Sequence, residues 1–500
     1  MNRSRNGRGF ATAVAIAVAA AATATAAPSA HAAPSAPTAG TAAVDAQRID
    51  FNGDGRQDLA VGAPDGTIAG AAKSGYVSVV YGRGAQGLDP AVHATFSQNT
   101  AGVPGAAEKE DRFGAAVHPA DLNADGYTDL VVGAPGEDVG NATDAGMLTI
   151  LWGSAAGLST ATAVDTGADP GWGVGGYVTA GDYDDDGVVE LVARAGGEKL
   201  RFLSGIGKDG KPAKATLMYL WPVEGVVATH NLTTGDVTGD GVSDLVMIHT
   251  DAEEEDSWRG VLYKGGKGGL TRVGILEDTA GYRLGGQSAA IGDLNKDGYG
   301  DIVMGHGRDY YDSDWGKPTK GGALGVAYGG PDGLSTTLKP VWIHQDTEGV
   351  PGVSESGDGM GTSVSVADVD ADGYADVVTG VPFEDFAGLT DPGAFLILKG
   401  SAKGLTGAGS QVYSQETADV PGVAEKGDRF GETVAVLRAA AGEGAQVVVG
   451  APAENAGNGA VWALRSSAAG PTTAGSVSFG PGTMGAPATG AAFGGALGKR

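Results

Sequence analysis

The sequence predicts an all-β chain folded as a seven-bladed β-propeller of four-stranded blades, its ring closed by the C-terminal strand. Three observations predict it. An acidic loop of the pattern D-x-[D/N/T]-x-D-G-x-x-[D/E] occurs six times, with its first aspartates 54 to 75 residues apart. That period suits propellers and solenoids rather than one mixed core. A short apolar run follows each loop, and further turn-separated segments bring the content of each unit to four strands, that of a propeller blade.

The loops come first in the argument because their chemistry is the most specific. In chain order they are Asp50, Asn52, Asp54, Arg56, Asp58; Asp121, Asn123, Asp125, Tyr127, Asp129; Asp182, Asp184, Asp186, Val188, Glu190; Asp236, Thr238, Asp240, Val242, Asp244; Asp293, Asn295, Asp297, Tyr299, Asp301; and Asp368, Asp370, Asp372, Tyr374, Asp376. Calcium takes six to eight oxygen ligands. Positions 1, 3 and 5 of a tight turn can aim side-chain oxygens at one centre, glycine at position 6 permits the turn, position 7 offers its carbonyl and position 9 a last carboxylate. Up to six Ca²⁺ ions are expected, most weakly at Thr238 and at the longer Glu190. An EF-hand would need a bidentate Glu at position 12 between two helices. Position 12 is Val61, Val132, Ala193, Met247, Met304 or Thr379, inside β-like runs, so the loop joins two strands.

Around the loops other features recur in phase. Ahead of the loop stands a first strand opened by Phe-Gly or a relative, as in Arg112-Phe113-Gly114 and Gly359-Met360-Gly361. After it come a second strand ending in Gly-Ala-Pro and a third such as Gly75–Tyr81 or Gly322–Tyr328. Fourth strands are expected at Phe96–Thr100, Ile343–Thr347 and Tyr413–Thr417, each before a Val-Pro-Gly turn. A seventh unit has Phe430-Gly431 and Gly450-Ala451-Pro452, but Ala439–Gly444 cannot build the acidic loop. The first unit has a loop and no Phe-Gly strand. Phe493-Gly494 near the C-terminus supplies it, so residues 491–500 are expected to complete the first blade and remove two open sheet edges.

Phe-Gly, the acidic loop and Gly-Ala-Pro, recurring together and in order, resemble the FG-GAP repeats of the integrin α-chain N-terminal propeller. The resemblance covers roughly residues 45–500. It implies bound calcium and partner recognition on the ring face that carries the loops between second and third strands. Units 3, 4 and 5 depart from it, with Ala193-Arg194-Ala195, Met247-Ile248-His249 and Met304-Gly305-His306 in place of Gly-Ala-Pro.

Residues 1–32 read as a secretory signal, with Arg3, Arg5 and Arg8 ahead of an apolar stretch from Phe10 to Ala27 and a cleavage site at Ala30-His31-Ala32. An Ala/Pro/Thr linker, 33–44, precedes the propeller at 45–500. The expected location is extracellular. Cysteine is absent, which excludes disulfides. A formal net charge of −27 argues against nucleic acid and anionic membranes as partners, and no stretch is expected to span a bilayer.

Two loops on the expected ligand face carry aromatic residues beside carboxylates, a combination that can stack on sugars or grip cations. They contribute Trp258, and Tyr310, Tyr311 and Trp315. The expected partner is an extracellular protein or glycan, and the chain is expected to be monomeric. Catalytic signatures are weak, with no H-E-x-x-H and no G-x-S-x-G. Gly205–Lys211 mimics a phosphate loop but continues into Pro212 where Ser or Thr is required. Asn141 and Asn231 are N-glycosylation sequons by pattern. The function expected is non-catalytic adhesion or ligand binding by a secreted calcium-binding propeller, with a lectin-type module or an extracellular hydrolase or lyase as alternatives.

Overall fold

The computed structural model describes residues 48–499, apart from 84–86, 221–225, 252–257, 310–316, 318, 439–444 and 468–469. The expected signal peptide and linker, the Ala439–Gly444 segment, and the candidates Tyr310, Tyr311 and Trp315 lie outside the described residues.

Seven antiparallel four-stranded sheets form the blades of a propeller. Blade 2 is representative. Its strands are Ala116–Ala120, Asp129–Ala134, Met147–Trp152 and Thr160–Ala163, with Val117 opposite Val132, Val132 opposite Thr149 and Thr149 opposite Ala163. The first strands of blades 3 to 7 are Val178–Gly181, Val226–Gly235, Ser288–Gly292, Val364–Ala367 and Thr433–Leu437, and first strands of successive blades pack on one another. A small ribbon, Gly329–Gly330 with Gly333–Leu334, is appended after the third strand of blade 5.

The second and third strands read as continuous apolar runs because both faces of each blade are covered by its neighbours. Asp129–Ala134 and Met147–Trp152 are buried throughout. Outer strands such as Thr160–Ala163 and Pro212–Tyr219 are partly or fully exposed to water. Phe113, Phe430 and Phe493, from the Phe-Gly segments, are fully buried, each contributing about 1.5–3 kcal/mol by area removed from water. Their backbones approach the preceding blade closely. Gly75 bridges Phe113 in parallel, with φ of +79°, and a Cβ there would lie 2.2 Å from Phe113 O, so only glycine fits.

The C-terminal strand closes the ring. Ala496–Leu497 pairs with Leu59–Ala63, Val61 opposite Leu497 and Gly62 opposite Ala496, giving blade 1 its innermost, first strand. Phe493 lies 6.5 Å from the ring of Tyr76 in blade 1 and 6.2 Å from that of Phe479 in blade 7.

One expectation is corrected. The outer strands are Leu88–Phe96, Val341–Ile343 and Gln411–Tyr413, so they end where the fourth strands were expected to begin. The Ser-Gln-x-Thr stretch that follows is a turn. Thr100, Thr347 and Thr417 Oγ1 accept from the N–H of Ser97, His344 and Ser414 at 2.9–3.0 Å, and a hydroxyl that captures a backbone donor competes with the strand ladder.

Candidate metal loops and the opposite face

Each acidic loop leads into the second strand of its blade, joining it to the first strand in blades 2 to 6, and is organised by its own side chains. The first aspartate accepts two N–H groups, one oxygen taking position 5 at 3.1–3.2 Å and the other glycine 6 at 2.7–3.0 Å. The position 5 carboxylate accepts from the N–H of position 7 at 2.8–3.1 Å. Gly55, Gly126, Gly187, Gly241, Gly298 and Gly373 have φ between +80° and +89°, the left-handed turn that glycine was expected to permit. Position 4 is left-handed as well, although Ala124, Asp185, Lys296 and Ala371 occupy it in four loops. Alanine and lysine at this position do not signal a left-handed turn in the sequence.

Position 9 is the buried keystone. Asp58, Asp129, Asp244, Asp301 and Asp376 are fully buried and Glu190 nearly so. Each accepts the N–H of position 2 (Phe51, Leu122, Tyr183, Val237, Leu294, Val369) at 2.8–3.2 Å. The aspartates also accept the N–H of a glycine at the end of the third strand: Gly82, Gly153, Gly265, Gly329 or Gly400. The residue thus ties loop to blade whether or not an ion is bound. Burial pushes the carboxyls of Asp58, Asp129, Glu190 and Asp301 up to about 7, and those of Asp244 and Asp376 to about 6. A carboxylate held away from water resists ionisation, and at Asp376 Lys399 offsets part of that rise.

Three carboxylates converge in blade 3 (Asp182, Asp184, Glu190) and in blade 6 (Asp368, Asp370, Asp376), each group with ligand atoms within 4.8 Å of one another. Elsewhere position 3 is Asn52, Asn123, Asn295 or Thr238 and supplies a neutral oxygen. In blade 3 Asp184 Oδ1 and Glu190 Oε1 are buried without a hydrogen bond, and Ser204 faces Glu190 across the strand pair. Asp184 Oδ2 faces the exposed Lys214 Nζ at 3.5 Å, and the two buried oxygens without hydrogen bonds suit a divalent cation, so these residues fit the ion that the loop pattern implies. Asp54, Asp125, Asp186, Asp240, Asp297 and Asp372 sit on the solvent side of their loops.

The second strands run from the loops to the opposite face, where blades 3, 4 and 5 carry Arg194, His249 and His306. His230 stacks on Trp258 with ring centroids 4.3 Å apart, and the Arg308 guanidinium lies 5.6 Å from the Trp258 centroid. Burial, followed by Arg194, His249 and Arg308, pushes His230 down to about 4, and burial does the same to His306. Nearby, Lys199 stands 5.1 Å from the Trp172 ring centroid. In blades 3 to 5 this face brings cationic and aromatic side chains together, while in blades 2, 6 and 7 it carries Glu137, Glu384 and Glu454. Asn231 is in the first strand of blade 4, and its Nδ2 donates to Gln287 O at 3.3 Å, a placement unsuited to glycosylation.

The FG-GAP repeat model matches residues 48–80, 113–151 and 360–398, in blades 1, 2 and 6, which keep Gly-Ala-Pro or Gly-Val-Pro. Phosphatidylinositol-glycan-specific phospholipase D of Rattus norvegicus is 36% identical over 149 residues, covering 29% of this chain and 17% of that protein. Human integrin alpha-6 is 32% identical over 127 residues, covering 25% and 10%. The chain thus spans less than a fifth of the length of these relatives. An exotype rhamnogalacturonan lyase structure superposes with a TM-score of 0.37 and 15% identity over 83% of this chain and 72% of that one, a likeness that carries no argument about chemistry. The chain carries FG-GAP repeats in a seven-bladed, integrin-like propeller.

Proposed function

We propose that this FG-GAP repeat propeller is a secreted, calcium-stabilised, non-catalytic protein that binds an extracellular partner on the face opposite its acidic loops. The observation that carries the calcium reading is the pair of buried oxygens without donors, Asp184 Oδ1 and Glu190 Oε1, inside a loop whose backbone geometry repeats six times. Side-chain oxygens of positions 1, 3, 5 and 9 and the carbonyl of position 7 are the proposed ligands. Where calcium binds, it would neutralise the keystone carboxylate and lock the loop to its blade.

The ligand reading rests on Arg194, Arg308, His230 and Trp258. Their placement on one face suits a partner bearing carboxylates, whether acidic glycan or acidic protein surface, since guanidinium groups bind carboxylates through paired N–H donors. Two classes of partner are separated by one screen. Purified protein is tested against uronic-acid polysaccharides, neutral glycans and extracellular proteins, with Ca²⁺ and with chelator. Calcium-dependent capture of an acidic ligand, weakened at least tenfold by Arg194→Ala with Arg308→Ala, supports the reading. Binding indifferent to both substitutions contradicts the assignment of this face.

A further inference from the structure

The six loops are not equivalent, and the difference lies in one position outside the loop pattern. The ninth loop residue stands opposite a residue of the third strand, one step beyond the strand pairing. Continuing the observed register places Tyr81 opposite Asp58, Trp152 opposite Asp129, Lys264 opposite Asp244, Tyr328 opposite Asp301 and Lys399 opposite Asp376. Ser204 stands opposite Glu190 within the pairing. Directly opposed residues on one sheet face interact, and opposite charges there attract.

In blade 6 this attraction is realised inside the loop. Lys399 Nζ lies 2.8 Å from Asp370 Oδ2 and 3.4 Å from Asp376 Oδ2. The lysine side chain is 16% exposed, that of Asp370 12%, and that of Asp376 0%. Blade 3 holds the same three-carboxylate constellation with Ser204 in the lysine's place; there the exposed Lys214 reaches Asp184 Oδ2 only at 3.5 Å, and Asp184 Oδ1 and Glu190 Oε1 are left without hydrogen bonds. A Ca²⁺ ion needs oxygens at 2.3–2.6 Å on all sides. An ammonium 2.8 Å from the same carboxylate takes that space and repels the ion.

We propose that Lys399 is the resident cation of the blade 6 loop, so that this repeat keeps the complete acidic pattern and takes no calcium. Blade 7 extends the series. There Gln446 takes the place of the ninth-position acid at the start of the second strand, and Arg465 stands opposite. Lys264 in blade 4 approaches its loop less deeply, with Nζ 3.2 Å from Asp240 Oδ2 and 3.0 Å from Pro331 O. This inference rests on the calcium reading of the other loops, and its test separates the two.

Bound calcium per chain is counted by equilibrium dialysis and by native mass spectrometry for the intact protein, Lys399→Met and Ser204→Lys. The expected result is one ion more per chain in Lys399→Met and one fewer in Ser204→Lys. Should Lys399→Met not fold, Ser204→Lys, at a rim position of a different blade, carries the test alone. Unchanged counts in a protein that does bind calcium overturn the lysine assignment and leave the calcium reading standing. No calcium on any of the three overturns both.

Discussion

Gln345 Nε2, in the turn that ends blade 5, donates to Glu384 Oε2 of blade 6 at 2.7 Å. The same cross-blade bond joins Gln98 to Glu137 and Gln415 to Glu454, the last at 3.1 Å. All three glutamines are buried. Each glutamate stands two residues after the proline that ends a second strand, in Pro135-Gly136-Glu137, Pro382-Phe383-Glu384 and Pro452-Ala453-Glu454. The pair is a latch between neighbouring blades. Replacing Gln415 by Ala removes the donor to Glu454 Oε2, leaving Asn455 Nδ2 on Oε1 at 3.2 Å, and should cost about 1–3 kcal/mol, measured by denaturant unfolding. Gln415→Glu should cost more above neutral pH, because a further carboxylate would join Asp428 beside Glu454.

The C-terminal closure gives a second prediction. Deleting residues 491–500 removes Phe493 and the strand pairing of Val61 and Gly62, and exposes the edge of blade 1. Phe493→Ala alone should cost about 3–5 kcal/mol as a large-to-small change in a packed core. Thermal melting of both variants checks this. A truncated chain that melts with the intact protein would contradict closure through blade 1.

Positions 5 and 9 of the loops should separate metal binding from folding. Asp129→Ala leaves the N–H groups of Leu122 and Gly153 without acceptors, so it should destabilise by on the order of 3 kcal/mol even in chelator. Asp125 is exposed on its loop, so Asp125→Ala should reduce the stabilisation by added Ca²⁺ with only a small effect in chelator. Equal behaviour of the two variants would contradict this division of labour.

Acid should stabilise the metal-free protein over a defined window. Six ninth-position carboxyls titrate at about 6–7 in the fold and near their ordinary values of about 4 when unfolded. Between pH 8 and 6 the folded state therefore binds more protons than the unfolded one, and stability falls as pH rises. Below about 6.5 two histidines oppose the trend. His230 and His306, pushed down to about 4, stay neutral in the fold while the unfolded chain takes up protons. Urea titrations in chelator at pH 8, 7 and 6 should show rising stability with falling pH.

Much of this was legible in the sequence because propeller repeats write their features in phase. The loop pattern located six turns and their φ-positive glycines, and the orphan Phe493-Gly494 located the closing strand. Two kinds of feature were not legible. The Ser-Gln-x-Thr turns are short polar segments beside genuine strands, and hydroxyl-to-backbone bonds decide their state. The latches and Lys399 depend on pairs 23 to 39 residues apart, visible only once strand register brings Asp376 and Lys399 face to face. Local pattern specifies the turn, and cross-strand register specifies what fills it.

The most direct measurement of the central claim is the thermal midpoint of the intact protein at pH 8 in saturating Ca²⁺ and in excess chelator. Calcium acting at the acidic loops predicts a midpoint lowered by many degrees in chelator and restored by added Ca²⁺, with Asp184→Asn reducing the difference. Identical midpoints in calcium and chelator would contradict the account and leave the loops as turns held by their own hydrogen bonds.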